Sequence, residues 1–154
     1  MKIGKGVNPA TTAWRRRWQV PALAVARKTM RGLIIRSEPI REILAGRKIW
    51  EFRSKRTHVR GTIGLIEKGS GTVVGLCELV DCIGPLSLAE LRRNRDKHDI
   101  PLSELRTWGD NKETLYAWVL RRARRFTKPA RYQHKSGVIT WHPLPDSILK
   151  KKTA

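Results

Sequence analysis

The sequence predicts an α+β fold: a small, partly closed β-barrel of five or six short strands, flanked by two or three short helices. Three observations predict it. The length of 154 residues suits one domain. Short runs of apolar and β-branched residues recur between Gly- and Pro-containing breaks, the pattern of a sheet built from short strands. Two short stretches carry apolar residues at helical spacing next to capping residues.

The elements follow in order. Residues 32–36 form a β-rich run. Ser37 then reads as an N-cap with Glu38 and Pro39 in the first turn, and Ile40, Ile43 and Leu44 give one apolar face to a helix over 37–45 that Gly46 ends. Residues 48–53 read as a strand. Residues 61–67 and 72–83 read as a hairpin around Gly69, Ser70 and Gly71. Ser87 and Glu90 match a capping box, and Leu88 and Leu91 supply a small apolar stripe behind it. Residues 96–108 are polar, with another helix starting near Pro101. Residues 115–120 read as a strand running on into an arginine cluster, residues 128–132 as extended chain, and residues 138–141 as a last strand that Pro143 and Pro145 break. The tail from Lys150 is basic and is expected to fray.

Apolar residues make up 40% of the chain and charged residues 30%, so the composition supports a packed core and excludes disorder throughout. Lys and Arg number 33 against 13 acids, a formal charge of +20. Such a surplus repels itself in a compact fold and points to a polyanionic partner, RNA or a nucleotide-like ligand; an acidic protein partner stays open. Arginine predominates among the cations, and its planar fork grips phosphate and stacks on bases as lysine cannot. Six tryptophans add rings for base stacking or for a core.

Residues 1–29 hold seven basic residues and no acid, leaving 26 basic and 13 acidic residues, a net +13, in residues 30–154. They read either as a nucleic-acid-binding arm, with Trp14 and Trp18 flanking Arg15, Arg16 and Arg17, or as upstream sequence ahead of a start at Met30. The division expected is an arm over 1–29, a domain over 30–145 and a basic tail over 146–154. The apolar stretch near the N-terminus is short and interrupted by Pro21, unlike a signal peptide, and no apolar run reaches the length of a membrane span. Cys77 and Cys82 lie five apart in one strand, which predicts opposite faces and no disulfide between them. The histidines His58, His98, His134 and His142 are scattered, so no metal site and no cofactor are expected, and reduced thiols suit a cytoplasmic protein.

At Gly46, Lys48, Glu51 and Arg53 the sequence resembles the ASCH family of the PUA-like superfamily of RNA-associated β-barrels. The shared pattern is a short strand, a helix ending in Gly-x-Lys, and a strand carrying Glu-x-Arg. Residues 61–66, the hairpin into Val73, Val74 and Gly75, then Tyr116, Ala117 and Trp118, Lys128 with Pro129, and the stretch from Lys135 to Trp141 continue the likeness over about residues 31–145. The resemblance implies a pocket between barrel and helices lined by the Lys, Glu and Arg. It also implies RNA binding, or, as in some small members, amide hydrolysis on acylated cytidine or RNA cleavage.

Strand alternation puts Glu51 and Arg53 on one face and Trp50 and Phe52 on the other. Lys48 shares the Trp50 face if it lies in the strand, and is free to enter a pocket if it lies in the turn after Gly46; the family pattern favours the turn. Read functionally, Arg53 and Lys48 hold phosphate or a base carbonyl and Glu51 accepts from a base amino group; otherwise Glu51 and Arg53 are a simple ion pair. The amidohydrolase members use the Lys, a Thr three residues later and a distant Glu. Lys48 matches, Glu51 stands where the hydroxyl should be, and Glu78 is the distant candidate. A ribonuclease would need Glu51, Glu78 or Asp81 to hold a metal that activates water. Ligand contacts are thus expected at Gly46, Lys48, Glu51, Arg53 and Trp118, with Trp118 alternatively a core residue. Phosphate contacts are expected at Arg121, Arg122, Arg124, Arg125, Lys128, Arg131 and Lys135.

Overall fold

The computed structural model describes residues 29–110 and 114–154. The expected arm over 1–29 lies, but for Thr29, outside the described residues. Six strands form one open sheet in the order β2-β5-β4-β3-β1-β6: β1 (Met30–Ile35), β2 (Trp50–Arg53), β3 (Gly61–Glu67), β4 (Thr72–Ile83), β5 (Tyr116–Arg131) and β6 (Trp141–Leu144). Among the described residues only the β1–β3 pair is parallel. Among the described residues the helices are α1 (Ser37–Leu44), α2 (Leu88–Arg93), α3 (Arg95–His98) and α4 (Leu102–Asp110), and none is long and apolar enough to cross a membrane.

Strand alternation sorts the apolar side chains onto both faces of the sheet. The inner face packs Leu33, Ile35, Ile63, Leu65, Leu79, Trp118 and Leu120, and α1 closes it with Ile40 and Ile43. The outer face packs Met30, Ile34, Ile66, Phe126 and Leu144 with Ile148. Trp50, Ala117 and Val119 also face outward at the other edge, where Phe52 and Leu86 continue the contact to Leu91, Leu105 and Leu115 of the helical segment. Burying one such aliphatic side chain contributes about 1.5–3 kcal/mol, so these clusters rather than the short helices hold the fold.

The capping box at Ser87 forms as expected, with its hydroxyl accepting from Glu90 N and the Glu90 carboxylate accepting from Ser87 N. Ser37 differs. Arg36 is the extended N-cap residue and Ser37 is already helical, so no side chain caps α1. β2 starts at Trp50, not at residue 48, because the end of α1 holds Lys48. Chain over 128–132 is not a separate piece: β5 runs unbroken to Arg131. Pro143 lies inside β6 instead of ending it. β6 is an edge strand paired only with β1, where a missing N–H is tolerated. The tail is ordered. Asp146–Lys150 forms a 3₁₀ turn that buries Ile148, and Thr153 then bridges to Phe126 of β5.

Cys77 and Cys82 lie on the same face, both within the inner core, against the alternation argument. Between Leu79 and Asp81 the register of β4 against β5 shifts by one extra residue on β4, and that single bulge inverts the alternation. Both thiols are free and buried. Burial pushes the Cys77 thiol from 9.0 up to about 12. The folded chain therefore keeps a proton that the unfolded chain loses. Stability linked to Cys77 is complete below pH 9.0 and is lost as pH rises toward 12. Urea unfolding above pH 9.0 should show wild type losing up to about 1.4 kcal/mol per pH unit relative to Cys77→Ala. Parallel pH profiles for the two proteins would refute this.

Candidate functional site

The site begins with the end of α1. Gly46 adopts φ 78°, a left-handed conformation that favours glycine. Gly46 N then donates to Ile43 O and Arg47 N to Glu42 O, each 3.0 Å, the paired bonds of a Schellman cap. Lys48 N donates to the same Glu42 carbonyl (3.1 Å), so Lys48 belongs to the cap and not to β2. From there its chain turns inward. Lys48 Nζ donates to His98 O (3.3 Å) and lies 3.7 Å from Glu51 Oε2.

β2 adds the other two charged groups. Glu51 pairs across the sheet with Trp118 on the inner face, and Trp50 with Val119 on the outer. Arg53 Nη2 lies 3.3 Å from Glu51 Oε1 and donates to Ile34 O (2.8 Å) in β1. Arg53 thereby ties edge strand β2 to β1 across the open side of the sheet, with its guanidinium 5.7 Å over the Trp118 ring. Arg53 Nε is buried and has no hydrogen-bond partner among the described residues. A buried donor left so costs about 1–3 kcal/mol, which an acceptor drawn into the site would relieve.

These three side chains form the floor of a cleft of about 700 Å³ between α1, β2, the end of β1 and the segment from His98 to Glu104. Lys48 and Glu51 are 6% and 8% exposed, so the pair is withdrawn from water. Burial lowers the Lys48 pKa and the Glu51 carboxylate opposes the shift. Phe52 and His98 form one wall, their rings 5.0 Å apart, and Lys48 Nζ lies 5.4 Å from the Phe52 ring. Ile139, 80% exposed, stands at the mouth. The lining holds six Arg and Lys side chains and five carboxylates, Glu38, Glu42, Glu51, Asp99 and Glu104. A nearly balanced cleft in a chain of charge +20 suits a ligand that offers both donors and acceptors better than a bare polyphosphate.

The remaining expected site residues fall elsewhere. Gly46 shapes the approach but does not line the cleft. Trp118, 3% exposed, is in the inner core, with its Nε1 donating to Lys55 O (2.9 Å). Glu78 follows the inward Cys77, is outside the cleft lining, and pairs with Arg122 at 3.5 Å. Arg121, Arg122, Arg124 and Arg125 are exposed along β5, with Arg122 at φ 51° beside the register shift. Lys128, Arg131 and Lys135 are exposed near its far end. Phe52, His98, Asp99 and Ile139 were not foreseen as lining residues. Phe52 carried a signal, since it adjoins Glu51. His98 and Asp99 come from a polar stretch whose place beside β2 depends on tertiary packing.

An open, mostly antiparallel sheet with a short helix over its inner face and a charged cleft beneath that helix agrees with the PUA-like fold that the resemblance implies. The ASCH domain profile matches residues 33–130, and the chain belongs to that family. Its fold is similar to the crystal structure of ASCH from Zymomonas mobilis, with a TM-score of 0.62, 15% identity, and coverage of 79% of this chain and 92% of that one. Two single-substitution mutants of that protein match at TM-scores of 0.60 and 0.58, each 16% identical and covering 80% of this chain and 95% and 94% of theirs. No curated protein matches the chain at a significant level.

Proposed function

We propose that this protein binds RNA, with the Lys48, Glu51 and Arg53 cleft receiving one nucleotide and the arginine-rich stretch of β5 holding phosphates. The observation that carries the reading is the convergence of those three side chains in a charge-balanced cleft on a strongly cationic chain. Glu51 would accept from a base amino group, while Lys48 and Arg53 would donate to a carbonyl or ring nitrogen. Arg121, Arg124 and Arg125 lie outside the cleft and need no base to act on a backbone. Arg122, in the left-handed region, carries the kind of backbone strain found more often at functional positions.

Deacylation fits the site less well. Among the described residues, no Ser, Thr or Cys lines the cleft, and Glu51 occupies the place of the hydroxyl. Glu78 and Asp81 lie on β4 outside the lining and pair with Arg122 and Arg60. They do not converge with Glu51.

Binding of a labelled single-stranded RNA should weaken steeply with salt, with a slope of about −0.7 per phosphate contacted. Arg121→Ala and Arg125→Ala should weaken all sequences alike by a few-fold, whereas Arg53→Ala should change the ranking among nucleosides. Affinity indifferent to salt, or a chain that takes an acidic peptide in preference to RNA, would overturn the proposal.

A further inference from the structure

A second depression lies at the opposite end of β1. It has a volume of about 530 Å³ and is bounded by Arg31, Arg56, Thr57, His58, Arg60 and Trp141 among others. We infer that it is a second nucleotide subsite, taking a phosphate on Arg31 and Arg60 and a base against the ring of Trp141. The inference rests on the reading that the polyanion is RNA, but it uses none of the residues of the first cleft.

Three arginines and a histidine line the groove, and no carboxylate does among the described residues. The cleft at the other end holds five. The two ends thus differ in kind: the cleft offers donors and acceptors, as a base requires, and the groove offers donors, as a phosphate requires. Asp81 lies 3.7 Å from Arg60 Nη2 but is mostly exposed and outside the lining, so it leaves the groove cationic.

The groove is also rigid. The connection between β2 and β3 carries Arg56 and Arg60 and is pinned from below. Lys55 O accepts from Trp118 Nε1, Thr57 N donates to Cys82 Sγ (3.5 Å), and Val59 N donates to Thr57 Oγ1 (3.2 Å). Arg60 Nη1 donates to the carbonyls of Thr57 and Val59, and Arg56 Nη2 to Gly84 O. Arg31, by contrast, has no side-chain hydrogen bond or ion pair among the described residues. Two guanidinium groups are therefore held in place and a third is free to meet an anion, which lowers the ordering cost of binding.

An aromatic ring completes the groove. Trp141 is half-buried and stacks on Trp118 with centroids 5.4 Å apart and planes at 13°. A stack backed by a core tryptophan is a fixed platform, and base–aromatic stacking needs no particular sequence. The same Trp118 ring also lies 5.7 Å from the Arg53 guanidinium, so one core tryptophan touches a residue of each site. The path along β1 from Arg31 to Ile35 is about 13 Å, too far for a single nucleotide to fill both.

The test uses the full chain with two probes: single nucleosides, and a fluorescein-labelled RNA of about eight nucleotides. Arg31→Ala should weaken the RNA about tenfold and reduce its salt slope by about 0.7, while leaving nucleoside binding unchanged. Arg31→Glu should weaken it further. Trp141→Phe should retain RNA binding and Trp141→Ala should lose it about tenfold, with thermal unfolding confirming that both fold. If Arg31→Ala leaves RNA affinity and salt slope at wild-type values while Arg53→Ala alters nucleoside binding, the groove is refuted and the cleft stands. If Arg53→Ala changes nothing and Arg31→Ala acts as expected, the cleft reading fails and the groove survives. No RNA binding by wild type at any salt overturns both.

Discussion

Glu51→Ala is expected to destabilise the protein by about 3 kcal/mol, because removing one partner of a buried ion pair strands the other. Here it strands two. Glu51 is 8% exposed, and its oxygens face Lys48 and Arg53. Lys48, at 6% exposure, is withdrawn from water, and its ammonium would be left with the His98 carbonyl. The variant should answer by shedding the lysine proton. Burial already lowers the Lys48 pKa, and Glu51 is the largest opposing influence. With Lys48 lowered, the native chain holds fewer protons than the unfolded chain at pH values below the ordinary 10.5. Stability linked to Lys48 is therefore complete above that value and falls as pH drops through the native pKa. In Glu51→Ala this window should extend to lower pH. Urea unfolding across neutral and alkaline pH measures both effects, and adding Lys48→Met to Glu51→Ala should restore part of the loss. A single variant as stable as wild type would mean that the triad is not a buried unit.

Gly75→Ala should cost about 3 kcal/mol, toward the upper end of overpacking penalties. A Cβ at Gly75 would collide with the backbone carbonyl of Arg124 on β5 and would meet Leu44 Cδ2 at 2.8 Å. The first obstacle is main chain and cannot rotate aside. Relief requires that β4 and β5 separate beside the register shift, and that region carries Arg121 to Arg125. The substitution should therefore also weaken RNA binding, although residue 75 bears no charge. Gly32→Ala provides a control: its nearest obstacles are the ends of the Ile66 and Leu144 side chains, so the cost there should be smaller. Chemical unfolding of both variants, with salt-dependent RNA binding of the first, checks the pair. Equal losses at the two glycines would contradict the argument.

Much of the site was legible because it rests on local rules. A glycine ending a helix and alternation through Trp50 to Arg53 are short-range signals, and they put Glu51 and Arg53 on one face; the place of Lys48 in the turn came from the family pattern, since the local reading left it open between turn and strand. What stayed hidden depends on the sheet as a whole. One extra residue in β4, between Leu79 and Asp81, brings Cys82 to the side of Cys77, and nothing in the local spacing marks it. His98 joins the cleft only because Ile49 N bonds to Lys97 O (2.8 Å) and draws the helical segment against β2. The groove at Trp141 is assembled from β1, β6 and the β2–β3 connection, three segments far apart in sequence. The order in the tail was missed because composition speaks for solvation, whereas Ile148 and the bond from Ala154 N to Arg125 O (2.7 Å) anchor it.

That anchored tail has a consequence for how the protein behaves among its own copies. β5 is 16 residues long, yet β2 covers only its first part, from Tyr116 to Val119. Further along, its outer hydrogen-bonding edge is taken by Thr153 and its neighbours, through Thr127 N to Lys152 O (3.0 Å) and Ala154 N to Arg125 O. An uncovered edge of that length is a template on which another chain can add a strand. The last few residues thus shield the longest strand from intermolecular pairing, and their lysines, Lys150, Lys151 and Lys152, set like charge against any second copy that approaches.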